Sequence, residues 1–74
     1  VVIFMKVGAS NQFKGTILSI EEGAVNGIVR IDIGGGNIVT STISMGSIRE
    51  LGLKVGGTAY TVIKATAVMV GVDE

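Results

Sequence analysis

The 74-residue sequence contains no cysteine, histidine, proline or tryptophan. Without cysteine there are no disulfides, and without cysteine and histidine the common zinc frameworks are excluded. The same absence removes the imidazole base and the thiolate nucleophile, leaving six carboxylates and four lysines as general bases. Charge is sparse as well: 16% of residues are charged, against about 25% in ordinary soluble domains. Six basic and six acidic side chains give a formal charge of zero. Phe4, Phe13 and Tyr60 are the aromatics. A nucleic-acid binder needs clustered Lys and Arg, and a single-strand binder also needs stacking aromatics, so nucleic acid is excluded as a partner. The longest apolar run, Val1 to Met5, falls far short of the roughly 20 residues of a membrane span and is too short for a signal peptide. No membrane partner is expected, and the location reads as cytoplasmic. Met5 stands where a natural start would, which makes 5–74 the expected domain and 1–4 an extension or cloning remnant.

A chain this short buries only about 60% of the surface its unfolded form exposes and usually needs disulfides, a metal or association with copies of itself. The first two are excluded or unsupported by the composition. With 47% hydrophobic residues on a small molecule, much of the surface is expected to meet another subunit.

What is abundant is β-branched: 21 valines and isoleucines and six threonines, against three leucines, together with 12 glycines. These side chains suit a pleated sheet, and glycines mark its turns and tight corners. The class is all-β. Alternation and turn residues predict a long first strand from Lys6 to Ile20, bent near Gly15 and ending in the turn Glu21-Glu22-Gly23-Ala24. A second strand spans Val25 to Ile33, with Val25, Gly27, Val29, Ile31 and Ile33 on one face. Gly34-Gly35-Gly36-Asn37 closes a hairpin into a third strand, Ile38 to Ile43. Ser47-Ile48-Arg49-Glu50 has the Ser-x-x-Glu form of a capping box, and Gly52 supplies the stop of a short helix. After the turn Lys54-Val55-Gly56-Gly57, two further strands are expected at Thr58 to Ile63 and Ala67 to Val72. The order β-β-β-α-β-β is that of an OB-like, five-stranded Greek-key barrel with one short helix between strands three and four. An SH3-like barrel is the alternative.

Catalytic groupings are few. Glu21-Glu22 and Asp73-Glu74 read as solvated turn and tail charges. Ser44, Ser47 and Lys64 contain the elements of a Ser–Lys dyad, but sequence spacing alone does not show that they meet, and the chain is not read as an enzyme. The Gly34-Gly35-Gly36 run is followed by Asn37-Ile38-Val39 rather than the Lys and Ser/Thr of a phosphate loop, and it joins strands rather than opening a helix. Thr40-Ser41-Thr42-Ile43-Ser44-Met45-Gly46-Ser47 places five hydroxyls ahead of a helix, where neutral donors suit an oxyanion. Lys64 can add one positive charge. The plainer alternative is that Thr40 and Thr42 are strand formers and Ser47 a cap.

Four blocks in order carry a family resemblance: Gly8-Ala9-Ser10-Asn11-Gln12-Phe13-Lys14-Gly15, Thr40-Ser41-Thr42-Ile43-Ser44, Leu51-Gly52-Leu53 and Lys64-Ala65-Thr66-Ala67-Val68-Met69. Together they resemble the molbindins, the small molybdenum-pterin-binding or Mop-type domains, from Met5 onward. The resemblance implies an OB-like barrel assembled as a homohexamer, a trimer of dimers with exchanged first strands. Molybdate or tungstate would bind at subunit interfaces for intracellular storage, buffering or delivery, with no pterin or other organic cofactor and no direct protein–metal ligand. The implied oxyanion-binding positions are Gly8, Ala9, Ser10, Asn11, Ser44, Ser47, Lys64 and Ala65. Family members usually show Ser-Ala-Arg-Asn-Gln in the first block. Gly8 and Ser10 therefore remove a hydroxyl and a guanidinium and return one hydroxyl. The alternative function is an oligomeric regulatory or interaction module with a weakened or lost oxyanion site.

Overall fold

Strands whose side chains alternate between a buried and a solvated face need one layer to cover them, and here a single curled sheet and one short helix provide it. The computed structural model describes residues 11–73. It contains β1 (Asn11–Glu21), β2 (Asn26–Gly34), β3 (Asn37–Ser44), the helix α1 (Met45–Glu50), β4 (Thr58–Ile63) and a 3-10 turn at Ala65–Ala67. The strands form one antiparallel sheet in the order β3-β2-β1-β4. β1 is the hub, pairing with β2 along its second half and with β4 along its first.

Gly27, Val29 and Ile31 lie buried on the expected inner face of β2, whereas Val25 lies outside the strand and is exposed. Ile17 from β1 and Met45 and Ile48 from α1 complete the buried apolar core, with Ile20, Ile33, Ile43, Leu53 and Ala59 packed around it. β1 shifts register against β2 between Ile17 and Ser19. Gly15 allows two strands to approach closely. A Cβ there would collide with the Asp32 carbonyl oxygen, so only glycine permits this approach of β1 to β2. The β2–β3 hairpin turns at Gly35 and Gly36, both with positive φ (63° and 79°), the conformation a tight hairpin demands. Asp32 Oδ1 accepts the Gly34 N–H at 2.8 Å, fixing the approach to the turn.

Two expectations need correction. The helix starts three residues early, with Ser44 rather than Ser47 as N-cap. Met45 and Ile48, one turn apart, are both buried, so the helix must begin at Met45 to place both in the core. Its end is as expected. Leu53 N–H bonds to Ile48 O and Gly52 N–H to Arg49 O, with Gly52 at φ 65°, the Schellman arrangement.

The second correction is that among the described residues the sheet has four strands, not five. Residues 68–73 form no strand; the chain leaves β4 through the 3-10 turn, and Met69, Val70 and Val72 are almost fully exposed. Their β-branched pattern favours a strand, but a strand also needs a neighbour for its backbone, and among the described residues none pairs with this segment. Of the expected first strand, residues 6–10 lie outside the described residues, as does the segment 1–4. Among the described residues, no helix is long and apolar enough to cross a membrane.

Gly27 sits where β2 meets α1: a Cβ would stand 2.5 Å from Ile48 Cδ1 and 2.9 Å from Met45 Sδ. Gly27→Ala is expected to destabilise the fold by about 1–3 kcal/mol through overpacking. Gly46, inside α1, should respond in the opposite sense, because a Cβ at this position would have its nearest neighbour 3.9 Å away. Gly46→Ala is expected to stabilise by about 0.4–1 kcal/mol. Urea unfolding midpoints of the two variants, read at unchanged m-value, check both signs.

Candidate oxyanion site

The hydroxyl-rich segment divides by strand geometry. In β3 successive side chains point to opposite faces, so Ser41 turns toward the concave side with Val39 and Ile43 while Thr40 and Thr42 are exposed on the other. The five hydroxyls therefore do not converge. Ser44 and Ser47 do come together. Ser44 leaves β3 in an extended conformation (φ −66°, ψ 148°), and its Oγ accepts the Ser47 N–H at 3.1 Å. The two hydroxyl oxygens are 2.9 Å apart and share a hydrogen bond, with Ser44 donating. A hydroxyl carries one proton, so whichever serine donates in this bond, the pair has one O–H left for a third group. Two serines thus present a single outward donor, polarised by the bond behind it.

Asn11 opens β1 opposite Ile63, the last residue of β4, and Lys64 and Ala65 follow directly. These three expected site residues share one end of the sheet. Lys64 is exposed, and among the described residues the one ion pair is elsewhere, between Arg30 and Glu21 at 3.7 Å. Gly8, Ala9 and Ser10 lie outside the described residues. Ser44 pairs with Asn26, beyond the far end of β1, where Glu21 faces Ile28. The serine pair and the Asn11–Lys64–Ala65 group therefore occupy opposite ends of the sheet, and one copy does not bring them together.

The glycine run is a hairpin turn, as its sequence context predicts. Among the described residues, no group of three or more His, Cys, Asp or Glu side chains could hold a metal ion. Sequence reasoning did not foresee a groove of about 810 Å³ between β3 and β4. Its signal in the sequence is indirect: inward-facing residues on two strands that no covering strand reaches.

The TOBE domain model matches residues 8–70. A Haemophilus influenzae protein described as a probable molybdenum-pterin-binding protein is 59% identical over 69 residues, which are 93% of this chain and 100% of the relative. Among solved structures, MopII from Clostridium pasteurianum superposes with a TM-score of 0.85 at 40% identity, covering 90% of this chain and 100% of MopII. The cytoplasmic molybdate-binding protein ModG, solved with molybdate bound, superposes with a TM-score of 0.87 at 42% identity. That match covers 93% of this chain and 49% of ModG.

The Ser44 cap makes a measurable contribution to stability. Ser44→Ala is expected to lower stability by about 1 kcal/mol, and Ser44→Asp, which keeps a capping acceptor, to stay within a few tenths of wild type. Thermal or urea unfolding of the two variants without added anion tests this pairing.

Proposed function

The chain belongs to the molbindin family, with its TOBE domain spanning residues 8–70, and on that premise we propose that it binds molybdate. The observation that carries this reading is the match of 93% of this chain to 49% of a protein solved with molybdate bound. Tungstate, an oxyanion of the same charge and shape, is the second ligand of the proposal. The role is storage, buffering or delivery of the anion in the cytoplasm, the location in which ModG is described. No organic cofactor and no catalytic step are part of it.

The proposed site lies at interfaces between copies of the chain. Support comes from the placement of its two halves. Asn11, Lys64 and Ala65 stand at one end of the sheet, with Gly8, Ala9 and Ser10 directly before Asn11 in the sequence, whereas Ser44 and Ser47 stand at the other. A single anion reached by both sets requires two copies. The proposed assembly is a homohexamer, a trimer of dimers with exchanged first strands. Within the site, Lys64 supplies the full charge and the serine pair one polarised hydroxyl. The remaining donors are backbone and neutral side-chain groups. Fixed neutral donors select by size and geometry, which is how such a site separates molybdate from the smaller sulfate.

Gly8 and Ser10 favour a second reading, in which the same barrel is an oligomeric regulatory module with a weakened or lost anion site. Calorimetric titration with molybdate, tungstate and sulfate separates the two. Binding of the first two with sulfate much weaker is the expected result, and equal weak heats from all three would overturn it. Lys64→Ala is expected to weaken molybdate binding by roughly tenfold to more than a hundredfold, the effect of losing one charge-assisted bond. The exposed position of Lys64 predicts no change in the unfolding midpoint of the anion-free protein. Unchanged molybdate uptake in this variant would favour the regulatory module.

A further inference from the structure

Of the three asparagines, Asn11, Asn26 and Asn37, only Asn26 is followed by glycine. With no Cβ on the next residue, nothing shields that residue's main-chain nitrogen from the asparagine side chain, and the backbone between them turns freely. Asn37 differs on both counts: the β-branched Ile38 follows it, and its Nδ2 donates to Gly34 O at 3.1 Å. Asn26 is exposed at the first position of β2 and faces Ser44, the last residue of β3. Opposed residues of an antiparallel pair project their side chains to the same face, about 5 Å apart at Cβ. The Asn26 carboxamide therefore stands beside the hydroxyl pair of Ser44 and Ser47.

Ring closure between the Gly27 nitrogen and the Asn26 Cγ requires the Asn26 backbone to leave the extended range that a strand imposes. Three contacts oppose that rotation. Val25 O, one residue before, accepts the Met45 N–H at 2.8 Å. Gly27, one residue after, is buried so closely against α1 that a Cβ would stand 2.5 Å from Ile48 Cδ1 and 2.9 Å from Met45 Sδ. Gly23 folds back on the Asn26 carbonyl oxygen, with which a Cβ would collide. Two of the three are contacts with α1, so lifting of the helix from the end of β2 frees the site. The helix has six residues and puts two of them, Met45 and Ile48, in the core. A short element docked through so few side chains opens locally at less than the cost of global unfolding.

We propose that Asn26-Gly27 is a deamidation site gated by α1, and that its product disables the serine half of the proposed anion site. With α1 lifted, a base takes the Gly27 amide proton and the nitrogen attacks the Asn26 Cγ. The Cγ–Nδ2 bond breaks, ammonia leaves, and a five-membered succinimide remains. Water then adds at one of its two carbonyls and opens the ring to aspartate or isoaspartate. No electron is transferred, and water is the only co-reactant. Either product puts a negative charge at the start of β2, beside Ser44 and Ser47, and so repels a dianion there. In isoaspartate the main chain also gains a methylene, for which the close seat of Gly27 under Ile48 and Met45 has no room. The effect on the anion rests on the molybdate reading above; the modification itself does not.

The test ages the purified protein without molybdate, folded and in urea, and follows each asparagine by peptide mapping with mass spectrometry. Aspartate and isoaspartate are expected at residue 26 ahead of any conversion of Asn11 or Asn37, and to form at least roughly tenfold faster in the unfolded chain. Conversion of Asn26 no faster than that of Asn37, or equally fast folded and unfolded, overturns the proposal. The gate is read from two variants. Ser44→Ala, which loosens the start of α1, should raise the folded-state rate about fivefold, and Gly46→Ala should lower it about two- to fivefold. Rates unmoved by both place the opening elsewhere and overturn the gate. Asn26→Asp, made directly, should bind molybdate roughly tenfold more weakly than wild type while unfolding at the same midpoint. Equal affinity overturns the effect on the site. Failure of unaged wild type to bind molybdate would sink the anion reading alone, and the mapping would still decide whether Asn26 is the modified residue.

Discussion

The interior that one copy can build is too small for the apolar residues it carries, and the architecture follows from that shortage. Ile17, Val29, Ile31, Met45 and Ile48 are the buried apolar core of the described chain. Each comes from an element placed by β1: β2 by direct pairing, and α1 because Met45 N–H bonds to Val25 O at 2.8 Å at the entrance to β2. The helix covers one side of the curled sheet, and among the described residues nothing covers the other. Exposed Leu51, Tyr60, Val62 and the segment after β4 are the remainder. Scattered singly, such residues need no explanation, but here they coincide with two open strand edges and a groove.

The same shortage explains the division of the proposed site. If the chain closed on itself, its two sets of donors would be fixed at opposite ends of one barrel. Association between copies is what can set one end against another. A binding site formed this way has no complete version in the monomer, so anion binding and assembly are linked: an anion that binds only the assembled form stabilises it by mass action. Zero net charge serves the arrangement, because bringing copies together accumulates no like charge before the anion arrives.

Local chemistry made much of this legible in the sequence. The inner face of β2 follows from period-two alternation, the hairpin from glycines with no side chain to clash at positive φ, and the stop of α1 from Gly52. β4 has the expected bounds because a glycine turn precedes it and the β-branched run ends at Lys64. The start of α1 was not legible, since Ser44 and Ser47 are both good caps and Ser47 even has Glu50 at capping-box spacing. Burial of Met45, a tertiary demand, decides for Ser44. The fifth strand failed for a related reason. Val68, Val70 and Val72 have the pattern of a strand, but pairing is non-local, and a pattern does not say whether the neighbour lies in the same copy. Of the candidate site, the residue types could be read from the sequence, but the hydrogen bonds between Ser44 and Ser47 could not. Their separation from Asn11 and Lys64 needed the strand register.

That register also bounds what the serines contribute to anion recognition. Ser44 is held by two demands, as the last residue of β3 opposite Asn26 and as the acceptor for the Ser47 amide. Its oxygen cannot move toward a ligand without uncapping α1, and α1 is held by Met45 and Ile48 in the core. With Ser44 donating to Ser47, the hydroxyl left to donate is that of Ser47, whose place on α1 is set by the packing of Met45 and Ile48 in the core. A donor anchored in this way gains little from a ligand that is slightly too small, because it cannot follow it inward. In the proposed site, discrimination between oxyanions of equal charge would rest on the rigidity of the core rather than on the charge of Lys64, whose flexible stem adapts to either.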